Sequence, residues 1–146
     1  MEDAFALSRF VAAQDAGGTY AGALRELRGG RKRGHWMWFV FPQLAGLGHS
    51  PMAEHYAISG LDEARAYLEH PVLGPRLVEV AQALSGLAGA DPVAVLGSVD
   101  AMKLRSSMTL FARAAADRSG QGEVFKAVLD HYFAGREDEA TLRLLA

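Results

Sequence analysis

The sequence predicts an all-α fold, a compact single-domain bundle of about seven to nine mostly short helices. Three observations support this prediction. Apolar residues recur at three- and four-residue spacing in several segments, Gly and Pro residues separate those segments, and no convincing pair of partner strands is present. The 146 residues, half of them hydrophobic, are enough for one domain over residues 1–146 that buries a core without disulfides.

The first two helices are predicted from caps and glycine stops. Asp3 is placed to cap a helix over Phe5 to Gln14, which a glycine pair at 17–18 ends. Thr19 is placed to cap a second helix through Leu27, which the next glycine pair, at 29–30, ends. The apolar segment that follows is predicted as a short buried helix that stops at Pro42. Periodicity alone does not separate a buried helix from a strand there, and helix is favoured because no partner strand exists.

Proline and acidic caps mark the next helices. Ser50 precedes a proline, the pattern of a capped helix start, and predicts a helix from Pro51 to about Ile58. Acidic residues open another over Asp62 to Leu68, before a proline that ends it. The clearest amphipathic stripe runs from Leu73 to Leu87, and a second cap and proline predict a brief helix over 92–96.

A helix near Val99 to Ala115 is predicted to lie at the centre of the bundle. It is apolar on two sides, with Leu104, Met108 and Phe111 on one face and Val99, Met102 and Leu110 on the other. A further helix over Glu123 to Ala134 is stopped by a glycine at 135, and a last turn or two covers 138–145. The loosest stretch is Asp117 to Gly122.

Charge and composition exclude several classes of protein. A net charge of -2 and a pI near 6.2 argue against DNA binding, since only residues 31–33 form a basic patch. The chain has no cysteine, which excludes thiol chemistry and fits a reducing compartment. The first residues are acidic and no apolar run approaches the roughly 20 residues of a membrane span. We therefore expect a soluble cytoplasmic protein that contacts neither DNA nor membrane, with the oligomeric state left open.

Familiar catalytic patterns are missing from the sequence. It contains no phosphate-binding glycine loop, no dinucleotide fingerprint and no nucleophile elbow. The five histidines show no pair at the three- or four-residue spacing that places ligands on one helical face. No metal site is predicted, and no residue pattern demands a cofactor.

The most informative stretch, residues 31–43, is called here the basic-aromatic segment. Three cations run into six large apolar residues that include both tryptophans. Such a segment suits a pocket wall, because aromatic planes stack on a flat ligand while cations meet its phosphates or carboxylates. The alternative is a core segment with a solvated basic lead-in. The candidate ligand-binding residues are Lys32, Arg33, His35, Trp36, Trp38 and Gln43.

A second group of candidates spans residues 49–56. The helix start at His49 and Ser50 exposes backbone N–H groups that favour an anion, and Glu54 lies about one turn inside, placed to act as an acid or base. Tyr56 completes this group, and the alternative is ordinary capping with Tyr56 in the core.

The central helix adds three more candidates for the same pocket: Lys103, Arg105 and Ser106. Lys103 and Arg105 fall on opposite flanks of the helix, so at most one of them is expected to reach the site. For Ser106 the simpler interpretation is a hydrogen bond back to its own helix.

Several runs resemble the bacterial family catalogued as domain of unknown function eighteen-ten. The resemblance covers essentially the entire chain and rests on LSRFV at 7–11, GRKR at 30–33, HWMWF at 35–39, FPQ at 41–43, HPVLG at 70–74 and KLRSSMTLF at 103–111. It implies a compact, mainly α-helical single domain and brings no established activity. The family has a serine where this chain has Gly34. Members are sometimes labelled calpastatin-like, whereas calpain inhibitors of that type are long disordered chains and this composition predicts a packed domain.

A more distant likeness is to the NADAR enzymes, which act on ADP-ribose-linked or riboflavin-pathway N-glycosides. The run Glu54-His55-Tyr56 is similar to their glutamate-histidine-tyrosine motif, and Phe111 with the tail at 129–145 is similar to their C-terminal pattern. This resemblance implies that Glu54 acts in N-glycosidic cleavage, that Trp36 or Trp38 stacks on a base, and that Lys32 or Arg33 holds phosphate. The chain departs from the NADAR pattern around its aromatic core.

These observations lead to a hypothesis and two alternatives. The hypothesis is a domain that binds a small anionic, nucleotide- or ADP-ribose-like ligand and hydrolyses its N-glycosidic bond. One alternative is a non-catalytic interaction domain whose patch at 31–33 binds an acidic protein or RNA. The other is that the aromatic residues only anchor the bundle. A pocket requires Trp36 or Trp38 to be partly exposed beside Glu54, whereas the alternatives allow both indoles to be sealed.

Overall fold

The computed structural model describes residues 3–116 and 121–146, and these residues form a compact all-α bundle, as predicted. No strand is present in them, and only an isolated parallel bridge joins Leu44 to Ile58. None of the helices in these ranges combines the length and the apolar character that a bilayer span requires. The helices are α1 Ser8–Asp15, α2 Thr19–Arg28, α3 Met37–Val40, α4 Pro51–His55, α5 Leu61–Glu69, α6 Leu73–Ser85, α7 Pro92–Leu96, α8 Ser98–Ala114, α9 Gln121–Phe133 and α10 Glu139–Leu145.

Helix α8 lies at the centre of the bundle and contacts α5, α7, α9 and α10. Leu104, Met108 and Phe111 are fully buried, which confirms the predicted core face. Only part of the second apolar face is buried. Leu110 is sealed, whereas Val99 and Met102 in the first turns are 66% and 72% exposed. The end of the predicted loose stretch, residues 121 and 122, begins α9, while residues 117–120 lie outside the described part of the chain.

The predicted caps are mostly confirmed, because a side-chain oxygen accepts a free N–H at the helix start. Ser50 Oγ accepts from the backbone N–H of residue 53 at 3.1 Å, and Asp91 accepts from the N–H of residue 93 at 3.0 Å. Asp138, which was not predicted as a cap, accepts from the N–H of residue 141 at 3.0 Å. Asp3 accepts from the N–H groups of residues 7 and 8, so the first helix begins three residues later than predicted. The cap predicted at Thr19 is wrong, since its hydroxyl donates to the carbonyl of residue 16.

Arg9 ties the first helix to the middle of the chain. Its guanidinium donates to the backbone carbonyls of residues 5, 6, 55 and 57 and forms an ion pair with Glu63 at 2.9 Å. The Glu63 side chain is 4% exposed. The other Glu63 oxygen accepts from the N–H of Ser59 at 2.9 Å. These bonds fix α1 against the start of α5 and the segment after α4.

The helix predicted for the basic-aromatic segment forms only over the four residues of α3. Residues 31–36 are not helical, and the backbone N–H of Lys32 donates to the carbonyl of Val95 on α7 at 2.8 Å. The N–H groups of Arg33 and Gly34 donate to the side chain of Glu26 on α2. Because a carboxylate accepts these N–H groups, the segment crosses the surface without helical hydrogen bonds.

Candidate functional site

Glu26 holds the basic-aromatic segment in place. Its Oε1 accepts hydrogen bonds from the N–H of Arg33 at 2.7 Å, the N–H of Gly34 at 2.9 Å and the indole N–H of Trp36 at 3.0 Å. Desolvation works to raise the pKa of Glu26, but the three hydrogen bonds and nearby Lys32 outweigh it and hold the pKa below its ordinary value. Glu26 is therefore ionised, and its Oε1 accepts three hydrogen bonds.

Trp36 lies in the core beneath this segment. Its side chain is 2% exposed and contacts Phe41, with ring centroids 6.3 Å apart. The Nζ of Lys32 lies 5.1 Å from the centre of the Trp36 ring. A ring this deeply buried has no free face for a ligand, so Trp36 is placed as a core residue, as the alternative interpretation expects.

The two predicted lysines meet at one carboxylate on α8. Lys32 Nζ lies 2.9 Å from Asp100 and also donates to the carbonyl of Gly34 at 2.6 Å. Lys103 Nζ lies 3.7 Å from the other oxygen of Asp100 and 5.2 Å from the centre of the Trp38 ring, which is half-buried. We call Lys32, Asp100 and Lys103 the lysine cluster. Sequence reasoning missed Asp100, although its position three residues before Lys103 on a helix was a usable signal.

The other candidates on α8 bind the chain's own C-terminal segment. Arg105 donates to the backbone carbonyls of residues 136 and 137 at 2.9 and 2.8 Å. Ser106 donates to its own helix and to Asp138 at 3.2 and 3.1 Å. Arg105 and Ser106 therefore hold the start of α10, and of the two cations on opposite flanks only Lys103 lies beside a tryptophan, Trp38.

The outward face of the basic-aromatic segment forms an open depression with the end of α2. The depression has a volume of about 260 Å³ and is lined by Arg25, Glu26, Gly29, Arg31 and Arg33. The three arginines are exposed, and none of them forms an ion pair within residues 3–116 and 121–146. We call this the arginine depression. Sequence reasoning included Arg33 but missed Arg25, which lies in the last turn of the helix that directly precedes residues 31–33.

The candidates around α4 are spread over exposed and core positions. Ser50 caps the helix, and His49 and Glu54 are exposed. Tyr56 packs against Phe10 and Phe39, with ring centroids 5.7 and 5.3 Å apart. The cap at Ser50 and the packing of Tyr56 match the capping interpretation. Within the described residues no hydrogen bond, ion pair or ring contact joins Glu54 to Trp36 or Trp38.

Two remaining candidates flank the segment itself. His35 is exposed. Gln43 is half-buried, and its backbone carbonyl accepts from the N–H of Ile58 at 2.9 Å beside the isolated bridge. Across the described ranges, no three His, Asp or Glu side chains are grouped so that they could hold a metal ion.

Comparison with known proteins gives a family for the chain. Residues 4–145 match the model of the family described as Protein of unknown function (DUF1810). The chain belongs to this family. Its structure is similar to the crystal structure of the conserved hypothetical protein Rv1873 from Mycobacterium tuberculosis, at 1.38 Å resolution, with a TM-score of 0.91 and 51% sequence identity over 98% of each chain. No curated protein matches the chain. The likeness to the NADAR enzymes has no support in these matches and stays a prediction.

Proposed function

We propose that this member of the family binds a small phosphorylated ligand at the arginine depression. The observation that carries the proposal is the set of three exposed guanidiniums, on Arg25, Arg31 and Arg33, around one depression without an ion-pair partner among the described residues. Guanidinium groups present paired N–H donors that match two oxygens of a phosphate, and these bonds are among the stronger hydrogen bonds in proteins.

The charge balance of the depression favours a dianion. Its lining carries three positive charges and the single negative charge of Glu26. Oε1 of Glu26 accepts from the backbone at 33–34 and from Trp36, and Glu26 forms no ion pair with the arginines in the described part of the chain. A phosphate monoester, with close to two negative charges at neutral pH, balances the excess.

The size of the depression is better suited to a phosphate group than to a nucleotide base. Its volume of about 260 Å³ is below the roughly 300 to 1,000 Å³ of pockets that enclose drug-sized ligands. A nucleotide or ADP-ribose would place its phosphate among the arginines and extend its remaining groups over the neighbouring exposed surface, where His35 lies. We keep these two compounds as the proposed ligand class.

Hydrolysis of an N-glycosidic bond by Glu54 stays a separate prediction. The engaged carboxylate of Glu26 is unsuited to donate a proton, because its lowered pKa keeps it ionised. Glu54 lies on α4 and does not line the depression. We therefore propose binding as the function that the geometry supports best.

A cytoplasmic location remains a prediction from the cysteine-free sequence.

Isothermal titration calorimetry tests the proposal with inorganic phosphate, AMP and ADP-ribose. Arg25→Gln and Arg31→Gln should each weaken binding about 10-fold or more, because each removes a charge-assisted hydrogen bond. Arg143→Gln, at an exposed arginine of α10 outside the depression, is the matched control and should bind as the wild type does. Failure of all three compounds to bind at millimolar concentration would overturn the proposal.

Chromatography of ADP-ribose incubated with wild type and Glu54→Gln tests the hydrolysis.

The openness of the arginine depression also favours the second candidate function, binding of an acidic protein or RNA. Arg28 adds a further exposed cation to the same end of α2, where its contact with Glu79 is long, at 3.9 Å. A single-stranded RNA oligonucleotide titrated at two salt concentrations distinguishes the candidates. Affinity above that for AMP, with a steep loss in salt, would favour RNA over the small ligand.

A further inference from the structure

A second cavity lies between the end of α8, α9 and the turn that follows α9. It has a volume of about 360 Å³ and shares no residue with the arginine depression. Leu129 and the small residues Ala112 and Ala116 form its apolar part. Its charged lining consists of Arg113, Lys126, Asp130 and Glu137. A half-apolar cavity with a few charged groups is typical of a site for a small molecule.

Two of the four charges neutralise each other. Arg113 donates from Nε and Nη2 to the two oxygens of Glu137, both at 2.8 Å. This paired geometry, with two parallel hydrogen bonds, raises the pKa of Arg113 and lowers that of Glu137. The pair thus fixes the segment after α9 as one wall of the cavity and keeps both of its members engaged.

The other two charges form no such paired geometry, although the positive charge of Lys126 also helps to lower the pKa of Glu137. Lys126 and Asp130 are both exposed and line the same cavity, and neither forms an ion pair with the other or with another residue of the described ranges. They stand four residues apart on α9, so their side chains leave the same face of the helix, with Cβ atoms roughly 5 to 6 Å apart. The cavity therefore presents one cation and one anion from the same helix face, without an ion pair between them.

Gly135 makes room for the carboxylate of Asp130. The backbone of Gly135 has φ +75°, in the left-handed region, and a Cβ at this position would lie 2.9 Å from Asp130 Oδ1. The glycine therefore allows the carboxylate to lie against the turn, beside the cavity.

We propose that this cavity binds a free amino acid, with the ligand's carboxylate at Lys126, its ammonium group at Asp130 and its side chain against Leu129 and the two alanines. A zwitterion carries opposite charges at a fixed short spacing, and it is the simplest ligand that satisfies both residues at once. The apolar wall and the volume of about 360 Å³ favour an amino acid with a small or medium apolar side chain.

Calorimetric titration with alanine, valine and leucine as free ligands tests the proposal, together with the amide and the N-acetyl derivative of whichever ligand binds best. Lys126→Met should weaken binding of the free amino acid about 10-fold or more and leave binding of the amide unchanged. Asp130→Asn should weaken the free amino acid similarly and leave the N-acetyl derivative unchanged. Glu123→Gln, at an exposed position of α9 that does not line the cavity, is the control.

Two results would overturn the proposal. One is that no free amino acid binds the wild-type protein at millimolar concentration. The other is that both variants bind the three forms of the ligand with wild-type affinity. Neither result depends on the arginine depression, and thermal melting of each variant shows whether a lost signal reflects unfolding.

Discussion

The carboxylate of Glu26 and the indole nitrogen of Trp36 lie 3.0 Å apart, and this hydrogen bond connects the arginine depression to the protein core. The same oxygen accepts the N–H groups of Arg33 and Gly34. One acidic side chain thereby binds one buried tryptophan and fixes the backbone at Arg33 and Gly34.

We expect Glu26→Ala to destabilise the protein by about 2 to 4 kcal/mol, because it leaves the buried indole N–H and two backbone N–H groups without their acceptor. Glu26→Gln keeps an oxygen at the same place and should cost about 1 kcal/mol, the difference between a charged and a neutral acceptor. Urea denaturation followed by tryptophan fluorescence measures both values. Equal stability of the wild type and Glu26→Ala would show that the bonds contribute nothing to folding.

The stability difference between wild type and Glu26→Gln should depend on pH. The folded-state pKa of Glu26 is below its ordinary value of 4.5, so the ionised carboxylate stabilises the fold fully above pH 4.5. This contribution is lost as the pH falls through the lower folded-state pKa. The difference in free energy of unfolding between wild type and Glu26→Gln should therefore be constant near neutral pH and should shrink as the solution becomes acidic. Asp3 and Glu137 also have lowered pKa values. Because both residues are present in wild type and in Glu26→Gln, their contributions to the pH dependence cancel in the difference.

Much of the fold could be predicted because local signals agree with the packing. Caps at Ser50 and Asp91 and the stripe that begins at Leu73 each act within a few residues, which a sequence shows directly. The exception is the basic-aromatic segment. Its helix is short because Glu26, from another helix, accepts the N–H groups of residues 33 and 34, and no local pattern reveals a partner in the fold.

The candidate site could be predicted only in part. The prediction singled out residues 31–38, but the sequence alone does not show which of these side chains face inward. Lys32 turns to Asp100 and is largely buried, whereas Arg31 and Arg33 are exposed. Arg25 completes one charged group from the helix just before the segment, whereas Asp100 joins the other from a helix distant in sequence, a placement that depends on tertiary packing.

Two adjacent serines on α8 should respond in opposite ways to the same substitution. Ser107 Oγ is fully buried and has no hydrogen-bond partner in the described structure, so Ser107→Ala should leave stability unchanged or raise it by up to about 1 kcal/mol. Ser106→Ala removes the bond to Asp138, which caps α10, and should cost about 1 kcal/mol. Thermal or urea unfolding of the two variants gives the comparison. Loss of stability in Ser107→Ala equal to that in Ser106→Ala would contradict the prediction.

The buried pair of Arg9 and Glu63 should be sensitive to loss of either partner. Arg9→Met removes five hydrogen bonds from one guanidinium and leaves the nearly sealed Glu63 carboxylate unpaired, at a cost of about 3 to 5 kcal/mol. Arg9→Met combined with Glu63→Gln should recover part of this loss, because the unpaired charge is gone. Denaturant titration of the single and double variants measures the coupling. A double variant that is less stable than Arg9→Met alone would show that the charge is not the cause.

Gly34 lies against the buried tryptophan. A Cβ at position 34 would be 2.9 Å from Cδ1 and 3.3 Å from Nε1 of Trp36, closer than side chains normally approach. Because Trp36 is packed in the core, Gly34→Ser should displace the indole, change its fluorescence emission and cost about 1 to 3 kcal/mol. Gly89→Ser is the control, since a Cβ there meets no atom within 4 Å. If Gly34→Ser keeps wild-type stability and emission, the indole has room to adjust, and the glycine does not determine how Trp36 packs against Glu26.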